Sequence, residues 1–297
     1  MREVIRLRYL LLLLCACCTV ATAAGTADAL RARYAALGTE LRQNQFDAPL
    51  HLDSSAGDDQ VAGDIHARLD YPFATVEKAL ADPKLGPQHW CEVLILHLNT
   101  KSCRAARSEK GDVLTVHIGS KDEQTLDDAF PVRFNYRTAT ANEDYFRIEL
   151  SAEDGPLNTS DYRIMIEAVN IGDGHTFLHL RYSYSYGLAS RLAMKTYLAT
   201  AGRDKVGFTI TGRNQDGTAQ YIGGMRGVIE RNTMRYYLAI DAYLSALATP
   251  PAQRLQTRLR NWYAATERYA RQLHEVERED YLAMKRKEVR RQQAPPA

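Results

Sequence analysis

Six aromatic side chains occupy apolar positions in segments that alternate apolar and polar residues. On a strand, residues at every second position share a face, so these side chains would gather on the apolar face of a sheet. Tyrosine combines a large apolar ring with a hydroxyl that needs a partner when it is buried. Such a face suits a cavity for an apolar or amphipathic ligand, and plain core packing beneath a helix is the alternative. The candidate ligand-binding residues on it are Tyr136, Phe146, Tyr162, Tyr182, Tyr184 and Tyr186.

Arginines are concentrated at the start of a long predicted helix. Arg231 and Arg235 are four residues apart, as are Arg226 and Glu230. Like charges one helical turn apart repel by roughly a few tenths of a kcal/mol, a cost that is reasonable where they meet an anion. We therefore predict that Arg226, Arg231 and Arg235 contact an anionic headgroup. A solvated helix face with partners elsewhere in the fold is the alternative.

No catalytic or metal-binding signature accompanies these candidates. His175 and His179 are four residues apart on a predicted strand, which separates them by roughly 13 Å, too far to share a metal ion. The sequence has no HExxH, GxSxG or P-loop motif. We therefore predict no catalytic residue, no metal, no cofactor and no nucleic-acid partner. Binding is favoured over catalysis, with a cyclase- or hydrolase-type enzyme using the same cavity as the alternative.

The first 23 residues have the layout of a secretory signal peptide. Arg2, Arg6 and Arg8 precede an apolar run over residues 9–16, and small residues follow at 21–24. Cleavage after residue 23 predicts an exported, periplasmic protein. A lipoprotein processed at Cys17 and an uncleaved anchor are alternatives, although the apolar run is shorter than the roughly 20 residues that a spanning helix needs.

Removing this segment changes both the charge and the cysteine content. The 297-residue chain has 38 basic and 36 acidic side chains, and 35 of each remain without residues 1–23. Only Cys91 and Cys103 then remain of the five cysteines. In an oxidising compartment this pair predicts one disulfide, with two buried free thiols as the alternative. The composition, 45% apolar and 25% charged, excludes a disordered or polytopic membrane protein.

The hydrophobic pattern predicts an α+β fold. A strand over 65–71 precedes a short helix over 73–82, alternating strands follow from residue 112, and a long helix covers 225–247. Only that last helix is large enough to cover the apolar face of the curved antiparallel sheet. The predicted units are an N-terminal helix and loop (24–59, with 53–64 as loop), the α+β domain (60–248), a basic amphipathic helix (252–292) and a disordered tail (293–297).

The C-terminal segment 252–297 is the most polarised part of the chain, with eleven basic and six acidic residues. Its apolar residues recur at steps of four and three, as in a heptad seam. Such a helix can lie on an anionic membrane surface or mediate self-association in a structural or assembly protein. The alternative packs the seam on the protein's own domain. The seam residues are Leu255, Leu259, Trp262, Thr266, Tyr269, Leu273 and Val276.

The order of these elements resembles the helix-grip fold of START-like (SRPBCC) domains over residues 60–248. That resemblance implies a sheet that wraps the last helix and encloses an apolar cavity for a lipid or another hydrophobic small molecule. The segments 155–163, 175–187 and 230–237 also resemble an uncharacterised family of exported proteobacterial proteins. This second resemblance implies a compartment and no particular chemistry.

Overall fold

The structure is a computed structural model that describes residues 26–109, 111–187 and 202–294, together with Thr196 and Thr200. The predicted signal peptide, with Cys17, lies outside the described residues. Within these ranges no helix has the length and apolar character needed to cross a membrane.

Eight antiparallel strands form one sheet in the order β1-β2-β8-β7-β6-β5-β4-β3. The alternation seen in the sequence sets one apolar face, because successive side chains of each strand point to opposite sides. Two further short strands pair with each other outside this sheet. The strands are β1 (Leu50–Ala56), β2 (Gln60–Leu69), β3 (Thr100–Ser108), β4 (Gly111–Ile118), β5 (Phe130–Ala141), β6 (Tyr145–Asp154), β7 (Thr159–Asn170), β8 (Thr176–Tyr186), β9 (Ile210–Arg213) and β10 (Ala219–Tyr221).

One long helix, α4, packs against the apolar face of the sheet beside β2, β1 and β8. Gly63 in β2 allows this close approach, since a Cβ there would lie 2.3 Å from Thr233 Oγ1 of the helix. The predicted helix-grip arrangement is therefore confirmed. The helices are α1 (Ala27–Ala36), α2 (Phe73–Leu80), α3 (Gly86–Leu94), α4 (Gly224–Ser245), α5 (Pro251–Glu267), α6 (Ala270–Leu273) and α7 (Arg278–Gln293).

The segment predicted as a loop over 53–64 is mostly strand. β1 pairs with β2 in antiparallel register, Leu50 opposite Ala67 and Ala56 opposite Val61. An edge strand tolerates polar and small residues on its solvent side, which is why the serines and aspartates of this stretch concealed it. β2 accordingly begins at Gln60, five residues before the predicted strand.

The predicted helix over 252–292 is divided into α5, α6 and α7. The chain leaves helical geometry at Tyr269, whose hydroxyl donates to the carbonyl of Phe46 at 3.0 Å, and becomes extended at His274. The seam is buried within the protein: Trp262 donates through Nε1 to the carbonyl of Arg235 at 3.2 Å and its ring stacks on Tyr281. The seam thus packs on its own domain, as in the alternative stated above.

The predicted disulfide is present between Cys91 and Cys103. It joins α3 to β3, the edge strand at the opposite end of the sheet from β1. Both sulfurs lie in the main core, so the bond ties the helical layer to the sheet from inside.

Candidate functional site

A cavity of about 560 Å³ lies between the sheet and the first half of α4. Strands β7 and β8 bring three tyrosines to it, and α4 brings two arginines and a fourth tyrosine. Loops after α3 and β4 add a histidine and a lysine. The lining residues that bear on its chemistry are Tyr162, Tyr182, Tyr184, Tyr236, Arg231, Arg235, His97 and Lys121.

The tyrosines form a continuous aromatic wall. Tyr162 and Tyr184 stack with ring centres 5.2 Å apart, and Tyr182 meets Tyr236 edge-on at 5.0 Å. The Tyr162 hydroxyl is hydrogen-bonded to Thr159 Oγ1 at 2.6 Å. Gly155 leaves room for this ring, because a Cβ at that position would lie 2.1 Å from Tyr162 Cε2. The contacts with Thr159 and Gly155 therefore fix the position of the Tyr162 ring in this wall.

Three hydroxyls of this wall, those of Tyr182, Tyr184 and Tyr236, have no hydrogen-bond partner among the described residues, yet all three residues line the cavity. Burial raises the pKa of each of these hydroxyls above its usual value near 10, so all three stay protonated. The cavity consequently offers neutral hydroxyl groups that can donate or accept a hydrogen bond.

Three of the other candidates lie outside this lining. The Tyr136 hydroxyl donates to the carbonyl of Leu80 at 3.3 Å, and the Tyr186 hydroxyl donates to the carbonyl of Gly57 at 2.8 Å. Phe146 is fully buried beside Phe73. These placements correspond to the core-packing alternative for the three residues.

Two of the three candidate arginines line the cavity and the third does not. Arg231 and Arg235 are 4% and 3% exposed and line the cavity. Arg226 instead donates through Nε to Ser54 Oγ of β1 at 2.9 Å. Its neighbour Glu230 is fully buried and accepts the backbone N–H groups of Phe208 and Thr209 at 2.6 and 2.9 Å. Arg226 and Glu230 thus belong to contacts that anchor other segments to α4.

A charged cluster at the cavity was not predicted. Glu275, between α6 and α7, pairs with Arg235 at 3.0 Å, with Lys121 at 2.6 Å and with Lys205. We call these four residues the Glu275 cluster. Burial alone would raise the pKa of Glu275, but hydrogen bonds from the two lysines outweigh it and lower that pKa to about 2. Burial lowers the pKa of Lys121 to about 8 although Glu275 opposes the shift.

His97, which lines the cavity, was also missed. The residue is 4% exposed, and its Nδ1 accepts the backbone N–H of Asn99 at 3.2 Å. Burial, reinforced by Arg235 and nearby lysines, lowers the pKa of His97 well below 6.5, so the ring is neutral. Since Nδ1 accepts, the proton is on Nε2. That atom is buried and has no partner among the described residues.

A larger groove, of about 1030 Å³, lies beside the disulfide between α3, α5 and α7. Its arginines are bound to the protein itself: Arg254 donates to the carbonyls of Thr249 and Leu247, and Arg258 pairs with Glu92 at 2.7 Å. The arginines of the smaller cavity are bound within the protein as well, Arg231 to the carbonyl of Val206 and Arg235 to Glu275. The smaller cavity is nevertheless the better candidate site, because three of its tyrosine hydroxyls and His97 Nε2 have no hydrogen-bond partner among the described residues. In the described part of the chain no group of three or more histidine, cysteine, aspartate or glutamate side chains could hold a metal ion.

No protein-family model matches the chain, and no curated protein is similar to it.

Among solved structures, a norcoclaurine synthase from Thalictrum flavum is 10% identical over 52% of this chain and 87% of its own, with a TM-score of 0.33. A START superfamily protein from Mycobacterium smegmatis is 17% identical over 49% and 96%, with a TM-score of 0.30. Ara h 8.0201 is 10% identical over 66% and 99%, with a TM-score of 0.34. At these values the similarity says nothing about ligand or activity.

Proposed function

We propose that this protein binds a hydrophobic or amphipathic small molecule in the cavity between the sheet and α4. The observation that carries the proposal is how three tyrosine side chains line this cavity. Tyr182, Tyr184 and Tyr236 line the same space of about 560 Å³, and their hydroxyls have no hydrogen-bond partner in the described part of the chain. Small-molecule sites are typically apolar cavities of roughly 300–1,000 Å³ with a few polar groups that fix orientation.

The energetics of these hydroxyls support binding over simple packing. A buried hydroxyl without a partner costs about 1–3 kcal/mol, so a core tyrosine normally finds a backbone acceptor. Tyr136 and Tyr186 do so, at Leu80 and Gly57. The hydroxyls of Tyr182, Tyr184 and Tyr236 have no such partner among the described residues, and they are not fully buried, which is the arrangement expected where a ligand or water in the cavity supplies the partner.

We also infer that the protein is exported to the periplasm. The basic, apolar and small-residue layout of residues 1–24 supports export. The Cys91–Cys103 disulfide supports an oxidising compartment. Fractionation of cells that express the full chain tests this inference, and N-terminal sequencing of the recovered protein distinguishes cleavage after residue 23 from processing at Cys17. Recovery in the cytoplasm with an intact N-terminus would reject it.

Filling the cavity tests the proposed function. Val228 lines the cavity from α4, and Val228→Trp should occupy part of the space. The probe is the methyl ester of 11-(dansylamino)undecanoic acid, whose emission reports transfer into an apolar site. We expect saturable binding to the full chain and a loss of at least about tenfold in affinity for the variant, equal to about 1.4 kcal/mol.

Val113→Trp is the matched control, because Val113 is a half-buried β4 residue outside the cavity lining. It should bind the probe as the unchanged protein does, with both variants checked for an intact thermal transition. Absence of saturable binding, or equal binding by the two tryptophan variants, would contradict the proposed function.

A further inference from the structure

The cavity that we propose as the ligand site is bordered by more positive than negative charge. Lys121, Arg231 and Arg235 line it, together with the carboxylates of Glu275 and Asp128. Lys205 adds a fourth cation through its pair with Glu275. Asp128 is exposed and is hydrogen-bonded to Thr125, so Glu275 is the only buried carboxylate that the described residues contribute to this lining. Among the described lining residues, positive charge is therefore in excess.

The sequence between residues 187 and 202 adds no negative side chain. The structure describes only Thr196 and Thr200 of residues 188–201, and this segment contains Arg191 and Lys195 and no aspartate or glutamate. It therefore has no carboxylate with which to neutralise the excess.

Two buried arginines lie beside one buried carboxylate. Arg235 pairs with Glu275, and both guanidinium groups also donate to neutral backbone carbonyls, Arg231 to that of Val206 and Arg235 to that of Leu273. Removing a charge from water costs several kcal/mol unless partners replace the hydration, so a buried cluster normally balances its signs. Arg231 and Arg235 lie one turn apart on α4, facing the same cavity. An anion placed there would be attracted by both guanidinium groups, which match the geometry of a carboxylate or phosphate.

His97 points to the same chemistry independently of charge. Its Nε2–H is a buried donor without a partner among the described residues, in the wall that also contains Arg235. A neutral donor of this kind satisfies an oxygen acceptor and cannot satisfy a second donor. The wall beside it is aromatic, since the His97 ring stacks on Tyr236 at 4.9 Å.

We propose that the ligand is an amphipath that ends in an oxyanion, a carboxylate or a phosphate. Its anionic end is bound by Lys121, Arg231 and Arg235, and its apolar body lies against the tyrosine wall. This inference rests on the proposed function and narrows its ligand class. It assigns Lys121 a direct contact with the ligand, because Lys121 lines the cavity and its side chain is 30% exposed.

A matched pair of probes tests the charge requirement. 11-(Dansylamino)undecanoic acid and its methyl ester share the same apolar body and differ in the anionic end. We expect the full-length protein to bind the acid at least about tenfold more tightly than the ester, since hydrogen bonds to charged groups are the stronger class. Inorganic phosphate should displace the acid only at far higher concentration, because it lacks the apolar body.

Two lysine variants localise the effect. Lys121→Gln and Lys205→Gln each remove one lysine from Glu275, and both side chains are 30% exposed, but only Lys121 lines the cavity. We expect Lys121→Gln to lower the affinity for the acid about tenfold and the affinity for the ester less than about twofold. Lys205→Gln should lower the affinity for the acid less than about threefold.

The outcomes separate this inference from the proposed function. Failure of both probes to bind would overturn the proposed function and this inference with it. Equal affinity for acid and ester, equal effects of the two lysine variants, or displacement by phosphate at the concentration of the acid would overturn this inference alone.

Discussion

The two faces of the sheet each carry a buried polar cluster, and the clusters differ in charge balance. On the face away from α4, His179 lies between Asp64 and Glu167, at 2.8 and 2.9 Å, and Arg181 pairs with Asp64 at 2.6 Å. We call these four residues the Asp64 cluster. Burial would lower the pKa of His179, but the hydrogen bonds that its ring donates to both carboxylates outweigh it and raise that pKa. With His179 protonated, two cations face two carboxylates.

The Glu275 cluster, which borders the cavity, has three cations and one carboxylate. A cluster with balanced charges needs no further counter-ion. The Asp64 cluster accordingly borders a compact group of apolar residues from α1 and the sheet. An unbalanced cluster beside a cavity is stabilised by whatever supplies the missing charge. The comparison shows that buried charge by itself does not identify a site. Excess charge together with accessible space does.

The largest effect is expected from breaking the Asp64 cluster. His179→Ala leaves Asp64 and Glu167 without the cation between them, and removing one partner of a buried ion pair costs about 3–5 kcal/mol. Guanidinium denaturation should show this loss in the free energy of unfolding, while the affinity for the acid probe stays unchanged. Arg181→Ala is the control: its side chain is 44% exposed, so its loss should stay below about 1 kcal/mol. A large change in probe affinity with His179→Ala would show that the two faces are coupled.

Glu275→Gln should separate stability from binding on the other face. The variant leaves three cations without their shared carboxylate, and we expect a loss of about 2 kcal/mol, less than at His179 because both lysines reach solvent. The affinity for the acid probe should rise, since the cavity becomes more positive. Denaturation measures the expected fall in the free energy of unfolding, and fluorescence titration of the same sample measures the expected rise in affinity for the acid probe. A fall in acid affinity in a folded variant would mean that Glu275 helps to hold the ligand.

The sequence predicted those parts of the site that depend on local periodicity. The period of two placed Tyr182 and Tyr184 on one face of β8, and the helical period placed Arg231 and Arg235 on adjacent turns of α4. The same periodicity could not distinguish Tyr186, because its hydroxyl bonds to Gly57, 129 residues away. Tertiary packing determines which acceptor a tyrosine hydroxyl reaches. The alternation of apolar and polar residues therefore identifies the sheet face on which a tyrosine lies, and it does not show whether the hydroxyl has an acceptor.

The missed residues lie in connections without regular periodicity. His97 follows α3, Lys121 follows β4, and Glu275 lies between α6 and α7. Other polar residues lie beside each of them, such as Asn99, Asp122 and Glu277, so no spacing marks the three out. They meet only because α5–α7 fold back on the sheet. The treatment of 252–292 as one helix concealed this meeting, since a continuous helix has no bend at Tyr269 to bring Glu275 to Arg235.

Acidification is expected to have a smaller effect on stability. It acts beside the Asp64 cluster, on the neutral histidine His66. His66 stacks on His179 with ring centres 4.2 Å apart, and burial lowers the pKa of His66 to about 3. A histidine with a lowered pKa contributes stability above its unfolded pKa, near 6.5, and that stability is lost as the pH falls below it.

Between pH 6.5 and 4.5 the unfolding free energy should therefore decrease by up to about 1 kcal/mol per pH unit on account of His66. The raised pKa of His179 acts above pH 6.5, where its contribution is lost as the pH rises. His66→Phe keeps the ring stack and should reduce the slope without abolishing it, because the pKa of His97 is lowered too. Denaturation at intervals across this range measures the slope, and an unchanged slope would place the acid sensitivity elsewhere.

The smallest expected effect distinguishes a cavity tyrosine from a core tyrosine. Tyr184→Phe removes a hydroxyl without a partner among the described residues, so the unfolding free energy should change by less than about 0.5 kcal/mol. Tyr186→Phe removes the donor to the Gly57 carbonyl and should cost about 1 kcal/mol, the usual net contribution of such a bond. Only Tyr184→Phe should alter probe binding, by a few-fold. Equal losses of stability in the two variants would mean that the Tyr184 hydroxyl is bound within the protein, and the cavity would then lack one of the groups that distinguish it from ordinary core.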